Sequence, residues 1–217
     1  TYFTIDKNIY SLFPYITAKT FDHKKDTPTP TIIKSIATNL ALMHKLSKKK
    51  FPKISENQLS EWDPKRVLSK TTRDNFNSDV QKIFEALNKK HKKNTFDKLA
   101  TTLLKLKVSL IDSVPKKFAV SSLGKKHIVH GDYHAQNVFL DDKDEVSHVF
   151  DLEKSDIRPR SLELARSMFI ICFNGYFDAE RFRFAKIYLD TYNAIYPIKK
   201  SELEHALRFM YYKHLLN

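Results

Sequence analysis

The residues best suited to chemistry lie in two short segments in the second half of the chain. The first is His-Gly-Asp-Tyr-His-Ala-Gln-Asn at residues 130–137, and the second is Phe-Asp-Leu-Glu at residues 150–153. Short β-rich runs precede and separate them, so Asp132 stands on a loop after one strand, Asn137 at the start of the next, and Asp151 where a third strand ends. Polar groups on a loop and at adjacent strand ends are expected to converge on one point.

Phosphoryl transfer requires an arrangement of this kind. A carboxylate orients the attacking hydroxyl and accepts its proton, while hard oxygen ligands hold Mg²⁺ against the phosphates of ATP. We expect Asp132 to be the catalytic base and Asn137 and Asp151 to bind the metal, with Glu153 as a further carboxylate. The spacing of Asp132 and Asn137 is that of D-x-x-x-x-N in the catalytic loop of kinases, with Gly131 in place of Arg.

Both segments resemble the aminoglycoside phosphotransferase and choline kinase family, which comprises small-molecule kinases distantly related to protein kinases. Residues 158–166, Arg-Pro-Arg-Ser-Leu-Glu-Leu-Ala-Arg, support the resemblance. They are similar to the family's segment that leads into a helix, except that Glu163 stands where the family usually has Asp. The roles implied are catalytic base for Asp132, metal ligands for Asn137 and Asp151, and second-metal or metal-supporting carboxylate for Glu153.

Two histidines of the first segment receive supporting roles. The resemblance implies that His130 is structural and that its ring braces the loop. His134 is either a neighbour of the phosphates or the substrate, or a bystander on the loop. Glu153 has a structural alternative to metal binding, because it could form an ion pair with Lys154 or Arg158.

The fold implied is α+β, a protein-kinase-like C-terminal lobe that is mostly helical and carries its active site on a small β-hairpin. Residues 138–140 and 146–150 flank a charged turn and predict that hairpin. Apolar residues at helical spacing predict helices over residues 32–43, 80–87, 96–106, 162–172, 182–192 and 203–211. Residues 47–76 are polar and aperiodic, and we expect a loop there.

The beginning of the chain predicts two strands, over residues 1–5 and 9–13. A two-stranded hairpin alone is only marginally stable, so these strands are expected to have further partners, encoded before Thr1. The resemblance assigns residues 1–17 to remnant strands of the N-terminal lobe and to the hinge between lobes. It assigns residues 18–217 to the C-terminal catalytic and substrate-binding lobe.

ATP is the phosphoryl donor that the resemblance implies. The backbone around Phe13 and Tyr15, in the expected hinge, would hydrogen-bond its adenine. The sequence departs from the family at the phosphate end, because its three glycines, Gly124, Gly131 and Gly175, form no Gly-rich loop. No Val-Ala-Ile-Lys-like strand offers a phosphate-pairing lysine either. We expect either a fragment of a longer enzyme or a degenerate kinase; the intact acidic motifs favour the fragment, which alone would transfer phosphate poorly or not at all.

The charge of +13, from 38 Lys and Arg against 25 Asp and Glu, raises an alternative from another class. The chain could be a catalytically incomplete, kinase-like basic module that binds RNA or an acidic protein. The densest basic clusters, residues 48–50 and 89–93, lie at the ends of predicted helices, where cations suit the helix dipole. A solvated surface is therefore the better interpretation, and a nucleic-acid partner is disfavoured.

The single cysteine, Cys172, excludes an internal disulfide and favours a cytoplasmic setting. No run approaches the roughly 18 apolar residues of a membrane span, so no membrane association is expected. The function predicted is ATP-dependent, Mg²⁺-assisted phosphorylation of a hydroxyl on a small polar molecule.

The acceptor classes that the resemblance offers are choline or ethanolamine, homoserine-like amino alcohols and aminoglycosides, with the positive charge mildly disfavouring a polycation. Arg158 and Arg160 could contact an anionic substrate group, or could serve the helix start by pairing with Glu163. Five aromatic residues could form a cage for a quaternary amine, although their helical spacing favours core packing: Tyr176, Phe177, Tyr188, Tyr192 and Tyr196.

Overall fold

The structure is a computed structural model that describes residues 2–11, 14–22, 25–50, 70–114, 120–173 and 175–216. Its strands are β1 (Tyr2–Ile5), β2 (Asn8–Ser11), β3 (Lys19–Thr20), β4 (Lys126–Val129), β5 (Val138–Leu140), β6 (Val146–Val149) and β7 (Asp156–Pro159). Its helices are α1 (Pro30–Lys50), α2 (Lys70–Lys89), α3 (Thr95–Ile111), α4 (Arg160–Met168), α5 (Ala179–Ile195) and α6 (Lys200–Leu216). Helices dominate, and the predicted α+β class is confirmed.

Within the described residues the strands form three small antiparallel sheets, with the orders β1-β2, β3-β5-β6 and β4-β7. The predicted hairpin is confirmed as β5 and β6, which place Val138 opposite Val149. Val129 at the end of β4 lies opposite Asp156 at the start of β7. Residues 130–137 and 150–155 therefore both run from the β4-β7 sheet to the β5-β6 pair, which brings the two predicted site segments side by side.

The two N-terminal strands are confirmed as the β1-β2 hairpin, in which Ile5 pairs with Asn8. Asp6 and Lys7 form its two-residue turn, with φ angles of 48° and 68°. Positive φ at both central positions is the type I′ geometry that matches the twist of two antiparallel strands. The predicted second strand extends to residue 13, but residues 12 and 13 lie outside those that the structure describes.

Helix α1 is the central support of the site. Its buried face continues through Ile33, Ile36, Ala37, Leu40 and Ala41, all fully buried, at the i, i+3, i+4, i+7 spacing of an amphipathic helix. This face packs mainly against α5 and also against β4. Each large apolar side chain buried in this way contributes roughly 1.5–3 kcal/mol to stability, so α1 is a rigid base for the strands beside it.

A second cluster of buried side chains joins α2, α3, α4 and α6, and the loop prediction for residues 47–76 is wrong at both of its ends. Residues 47–50 extend α1, and residues 70–76 begin α2, while residues 51–69 lie outside the described part. The start of α2 is polar in sequence, and its apolar face begins only with Phe76 and Val80, which are buried one helical turn apart. Too few apolar residues precede Phe76 to reveal the helical period.

The last three predicted helices are confirmed as α4, α5 and α6. Helix α4 runs on directly into a π-helical turn over Phe169–Phe173. Cys172 in that turn is buried, and burial raises the pKa of its thiol to about 12, so it stays protonated and unreactive at neutral pH. No helix in the described part of the chain combines the length and the apolar character needed to cross a membrane.

A buried histidine on β4 makes the fold sensitive to acid. His127 Nδ1 lies 3.0 Å from the Lys125 carbonyl oxygen and its Nε2 lies 2.8 Å from the Tyr196 hydroxyl. The carbonyl can only accept, so Nδ1 carries the hydrogen of a neutral ring and Nε2 accepts from Tyr196. Burial, aided by the nearby Arg160 charge, lowers the pKa of His127 from 6.5 to about 4.

We expect stability to fall as pH decreases from about 6.5 to about 4, because the unfolded state takes up a proton there that folded His127 refuses. The loss is up to about 3 kcal/mol. Urea unfolding at several pH values gives the free energy of unfolding as a function of pH, and this free energy should fall less steeply with decreasing pH in His127→Gln than in the parent protein. His214, whose pKa is also lowered by burial, should preserve part of the pH dependence in that variant. His91→Gln, at an exposed histidine, is the control. If His127→Gln, His91→Gln and the parent protein all show the same pH dependence, the assignment to His127 is contradicted.

Candidate active site

The loop after β4 is shaped by close contact with the loop after β6. Gly131 has φ of +85°, and a Cβ built on it would lie 1.9 Å from the carbonyl oxygen of Lys154, so only glycine fits there. The buried His130 ring joins the same two loops. Its Nε2 donates to the Phe150 carbonyl at 2.8 Å, and its Nδ1 accepts the N–H of Asp132 at 3.3 Å. The structural role that the resemblance implies for His130 stays a prediction, and these two hydrogen bonds support it.

Glu163, near the start of α4, accepts hydrogen bonds from the backbone of the loop that carries Asp132. Its Oε1 accepts the Gly131 N–H at 2.5 Å, and its Oε2 accepts the His130 N–H at 3.1 Å. The buried His44 of α1 lies 2.9 Å from the same Oε2 through Nε2. Burial favours the protonated acid, yet these hydrogen bonds outweigh it and lower the pKa of Glu163. An ionised carboxylate thus fixes two consecutive backbone amides next to Asp132.

Asp132 is buried and surrounded by cations. Lys154 Nζ lies 2.6 Å from its Oδ2, Arg166 Nη2 lies 2.5 Å from its Oδ1, and His134 Nε2 lies 3.6 Å from Oδ1. Arg166 forms an ion pair with Oδ1, and this oxygen is itself buried. Burial opposes ionisation, but Lys154 and Arg166 outweigh it and lower the pKa of Asp132. The carboxylate is therefore charged at neutral pH.

Asn137 is buried at the start of β5 and ties the two segments together. Its Nδ2 donates to the backbone carbonyl of Asp132 at 3.0 Å. Its own carbonyl accepts the N–H of Phe150 at 3.2 Å, one residue before Asp151. No described residue donates a hydrogen bond to the side-chain oxygen of Asn137. His134 caps the short helical turn before Asn137 by accepting the Gln136 N–H through Nδ1 at 3.2 Å.

Asp151 and Glu153 are exposed at the other side of the site. Asp151 has left-handed backbone angles, φ 61° and ψ 54°, and caps no helix with its side chain. A non-glycine residue held in that region is typical of functional sites. In the part of the chain that the structure describes, neither carboxylate forms an ion pair within 4 Å, so the alternative pairing of Glu153 with Lys154 or Arg158 does not occur. Their charges nonetheless add to that of Asp132 in raising the pKa of Lys154.

These residues fit a magnesium ion with few protein ligands. Three carboxylates, of Asp132, Asp151 and Glu153, act together on one cation, the Lys154 ammonium. Among the described residues no three His, Cys, Asp or Glu side chains are close enough to bind a metal by themselves. Zinc-like sites require such a set, whereas Mg²⁺ is commonly held by one or two protein oxygens together with phosphates and water. Asn137 and Asp151 supply oxygens of that kind.

Of the two residues expected at the adenine, the structure describes only Tyr15. Tyr15 is 93% exposed, and Phe13 lies outside the residues that the structure describes. Both assignments stay predictions. Of the proposed catalytic and metal-binding residues, Asn137 is joined to Asp132 by its hydrogen bond to the Asp132 carbonyl, and the assignment of Asp151 and Glu153 to the same metal stays a prediction.

A cleft opens directly beside Asp132, and Gly131 and Arg166 form part of its wall. The remaining wall residues are Val129, Arg158, Leu162, Glu163, Phe209, Met210 and Lys213. Residues of β4, β7, α4 and α6 thus line a small cleft of about 80 Å³ next to the loop that carries Asp132.

The sequence model of the phosphotransferase enzyme family, which includes the aminoglycoside phosphotransferases, matches residues 3–202. The chain belongs to this family. The catalytic loop, the β5-β6 hairpin and α4 all lie within the matched part.

Several solved structures are similar to this chain. An aminoglycoside phosphotransferase from Alicyclobacillus acidocaldarius is 17% identical, with 97% of this chain and 61% of that chain covered, at a TM-score of 0.62. A spectinomycin phosphotransferase in complex with ADP and spectinomycin is 14% identical, with 99% of this chain and 61% of that chain covered, at a TM-score of 0.51. An ethanolamine kinase from Plasmodium vivax is 18% identical, with 100% of this chain and 58% of that chain covered, at a TM-score of 0.47.

The first two likenesses confirm the kinase-like fold of this family member. The chain spans about three fifths of the length of the solved structures that it matches. A search of curated proteins found no match.

Three residues of the candidate site were not predicted from the sequence. Lys154 and Arg166 contact Asp132, but both are ordinary basic residues near a helix, and no spacing distinguishes them. His44 was detectable, because it continues the buried α1 stripe one turn after Leu40. A histidine in an apolar stripe indicates a buried polar partner, which here is Glu163.

Contacts in the structure bear on two alternatives raised by the sequence, the role of Arg160 and the aromatic cage. Arg160 anchors the start of α4 by donating to the Tyr192 hydroxyl and to the backbone carbonyls of Tyr196 and Pro197. The expected pairing with Glu163 is wrong, because Glu163 binds His44 instead. Tyr188 and Tyr192 are buried in the core, while Tyr176 and Phe177 are exposed. The Arg160 guanidinium lies 3.9 Å from the ring centre of Tyr196. The five aromatic residues therefore do not enclose an open cage.

Proposed function

We propose that the protein transfers the γ-phosphoryl group of ATP to a hydroxyl group of a small polar molecule. The observation that carries this proposal is the ionised Asp132 carboxylate, fixed by Glu163 and Asn137 at the edge of a cleft. Asp132 acts on the acceptor hydroxyl, and Asn137 and Asp151 hold Mg²⁺. Membership in the phosphotransferase family supports the reaction class.

The remaining assignments complete the proposed site. Glu153 is a second-metal or metal-supporting carboxylate, His130 and His134 position the loop, and the backbone at Phe13 and Tyr15 holds adenine. Residues 1–17 belong to the N-terminal lobe and hinge, and residues 18–217 form the catalytic and acceptor-binding lobe. Without a Gly-rich loop or a phosphate-pairing lysine in its sequence, we propose that this chain alone transfers phosphate poorly.

The chemistry follows from the state of Asp132. The acceptor oxygen forms a bond to the γ-phosphorus, the bond from that phosphorus to the β-phosphate oxygen breaks, and ADP leaves. The hydroxyl proton passes to Asp132 and then to solvent. Because the pKa of Asp132 is lowered, the carboxylate is a weak base, and its main contribution is to orient the hydroxyl for in-line attack. Bound Mg²⁺ would offset negative charge on the phosphates.

Asp151→Asn tests the metal assignment without disturbing the backbone. Asparagine tolerates the left-handed conformation of Asp151 and keeps one oxygen, but removes the charge that a divalent ion needs. We expect Mg²⁺-dependent ATP binding to weaken by about 10- to 100-fold, measured by calorimetry with and without Mg²⁺ on the longest natural form of the protein.

Asp142→Asn is the matched control, since it removes the same charge from the exposed turn at the far end of the β5-β6 hairpin. Its ATP affinity should equal that of the parent protein. Unchanged Mg²⁺-ATP binding in Asp151→Asn would contradict the proposed site. Salt-sensitive RNA binding that ignores this substitution would instead support the basic-module alternative.

A further inference from the structure

The cleft beside Asp132 has an unusually cationic wall. Three basic side chains face it, Arg158 from β7, Arg166 from α4 and Lys213 from α6. They come from three separate elements, so no single helix pattern places them together. A cation in the last turn of α6 suits the helix dipole, which explains the presence of Lys213 but not its convergence with two arginines.

Among the described residues these cations retain unused hydrogen-bond donors. Arg158 donates its Nε to Asp156 at 3.0 Å, and its two Nη groups have no hydrogen-bond partner in the described part. Arg166 places Nη2 against Asp132, and its Nε and Nη1 likewise have no described partner. Within the described part of the chain, Lys213 pairs with no acidic side chain. Guanidinium groups with two free N–H directions bind carboxylate and phosphate oxygens in a bidentate manner.

The same wall offers nothing to a cation. Glu163 is the one acidic residue among those that line the cleft, and it is buried. Its two oxygens are occupied by the backbone amides of His130 and Gly131 and by His44. The wall itself therefore presents three basic side chains and no unoccupied carboxylate to an ammonium group, and the nearby Asp132 carboxylate already contacts Lys154 and Arg166.

A neighbouring histidine responds to this positive field. The pKa of His214 is lowered, first by burial and then by the charges of Lys213, Lys107 and Arg166. Charges from α3, α4 and α6 thus act on one position at the end of α6. The field extends beyond the wall of the cleft itself.

From this arrangement we propose that the acceptor alcohol carries an anionic group, a carboxylate or a phosphate, which Lys213, Arg158 and Arg166 bind while Asp132 engages its hydroxyl. Leu162, Phe209 and Met210 provide an apolar wall for the carbon skeleton between these two groups. The inference rests on the proposed phosphotransferase function and narrows its substrate class. Within that function it disfavours choline and aminoglycosides as acceptors, because both are cationic alcohols.

Four small alcohols that differ in their charged group provide the test: glycerate, glycerol 3-phosphate, glycerol and choline. Their dissociation constants are measured by ligand-observed NMR in the presence of ADP, at low ionic strength, on the longest natural form of the protein. We expect the two anions to bind at least about tenfold more tightly than glycerol, and choline to bind most weakly. Whichever anion has the lower dissociation constant shows whether the site prefers a carboxylate or a phosphate.

Lys213→Met removes one charge and keeps most of the side-chain volume. It should weaken anion binding by about five- to tenfold while leaving glycerol unaffected. Lys200→Met at the other end of α6 is the control and should change neither, because its side chain is exposed and about 20 Å away along the helix.

Equal binding of all four alcohols, preference for choline, or equal effects of Lys213→Met and Lys200→Met would overturn the anionic-acceptor proposal. Those results would leave the phosphotransferase proposal intact, since Mg²⁺-ATP binding and its loss in Asp151→Asn involve no acceptor. Failure of Mg²⁺-ATP binding would overturn the proposed function itself, whatever the alcohols do.

Discussion

Replacing Asp132 by Asn is expected to lower kcat by roughly 10²- to 10⁴-fold while the affinity for ATP stays within about twofold. Asparagine has nearly the same shape and can still occupy the space beside Lys154 and Arg166. It cannot take up the hydroxyl proton, and its NH₂ group presents a donor where an acceptor is required. ATP affinity is retained because Asn137 and Asp151, not Asp132, are the proposed metal ligands. Steady-state kinetics with an acceptor alcohol that the parent protein phosphorylates gives kcat, and calorimetry with ATP gives the affinity.

The substitution also leaves two cations without their counter-charge, so a loss of stability must be separated from a loss of catalysis. Asp97 offers a matched control. It is buried like Asp132, its carboxylate lies 2.6 Å from Lys90 Nζ, and its pKa is likewise lowered, first by that hydrogen bond. Asp97→Asn should reduce the free energy of unfolding without changing kcat. Turnover near the parent value in Asp132→Asn would rule out the catalytic assignment.

Much of the site could be predicted from sequence because its chemistry is local. Residues 130–137 and 150–153 lie at the ends of short strands joined by one hairpin, and a hairpin requires only a charged turn between two β-rich runs. Once β5 and β6 pair, Asn137 and the residue before Asp151 must lie together. The residue types were therefore sufficient to predict the pairing of β5 with β6, while the convergence of the acidic side chains stays a prediction.

The strands that complete the sheets were not predictable in the same way. β3 has two residues, too few for any alternation to show, and β7 ends in Pro159, which cannot donate to a ladder. Residues 158–166 were expected to lead into a helix. Residues 156–159 form a strand because β4 offers them a partner. Pairing energy from a distant segment decided the outcome.

Contacts made by helices to the site were equally hidden. His44 precedes Glu163 by 119 residues, and Arg166 reaches Asp132 from the far side of the catalytic loop. Such contacts depend on how α1 and α4 pack, which no local spacing encodes. The longer side chain of Glu163, which stands where the family resemblance expects Asp, accepts two backbone amides and still contacts His44 on α1. The acidic residues of the site were thus readable from the sequence, whereas the basic residues around Asp132 were not.

Replacing Gly131 by Ala should disrupt the site more than any other single methyl addition at a described glycine. The residue has φ of +85°, where an L side chain costs roughly 1–2 kcal/mol. The added Cβ would also meet the Lys154 carbonyl oxygen at 1.9 Å, a backbone atom that cannot rotate away. The two loops must separate by about 1 Å or more, since carbon and oxygen are not packed closer than about 3 Å.

Separation of the loops breaks several contacts together. The bonds from Gly131 to Glu163 and from His130 to Phe150 both span this region, as does the ion pair of Lys154 with Asp132. Each lost hydrogen bond is worth about 1 kcal/mol, so the free energy of unfolding should fall by roughly 3 kcal/mol or more. A displacement of about 1 Å at the carboxylate should lower kcat about 10²-fold in the protein that remains folded.

Gly175→Ala separates the two causes, because Gly175 has nearly the same φ, +81°, and no atom lies within 4 Å of its added Cβ. That variant should lose only the roughly 1–2 kcal/mol of backbone strain, with kcat unchanged. Urea unfolding of both variants and kinetics under conditions where each is folded provide the comparison. If Gly131→Ala and Gly175→Ala lose equal stability and both retain full turnover, the two loops are not in the contact that holds Asp132, and the site geometry must differ from the one described.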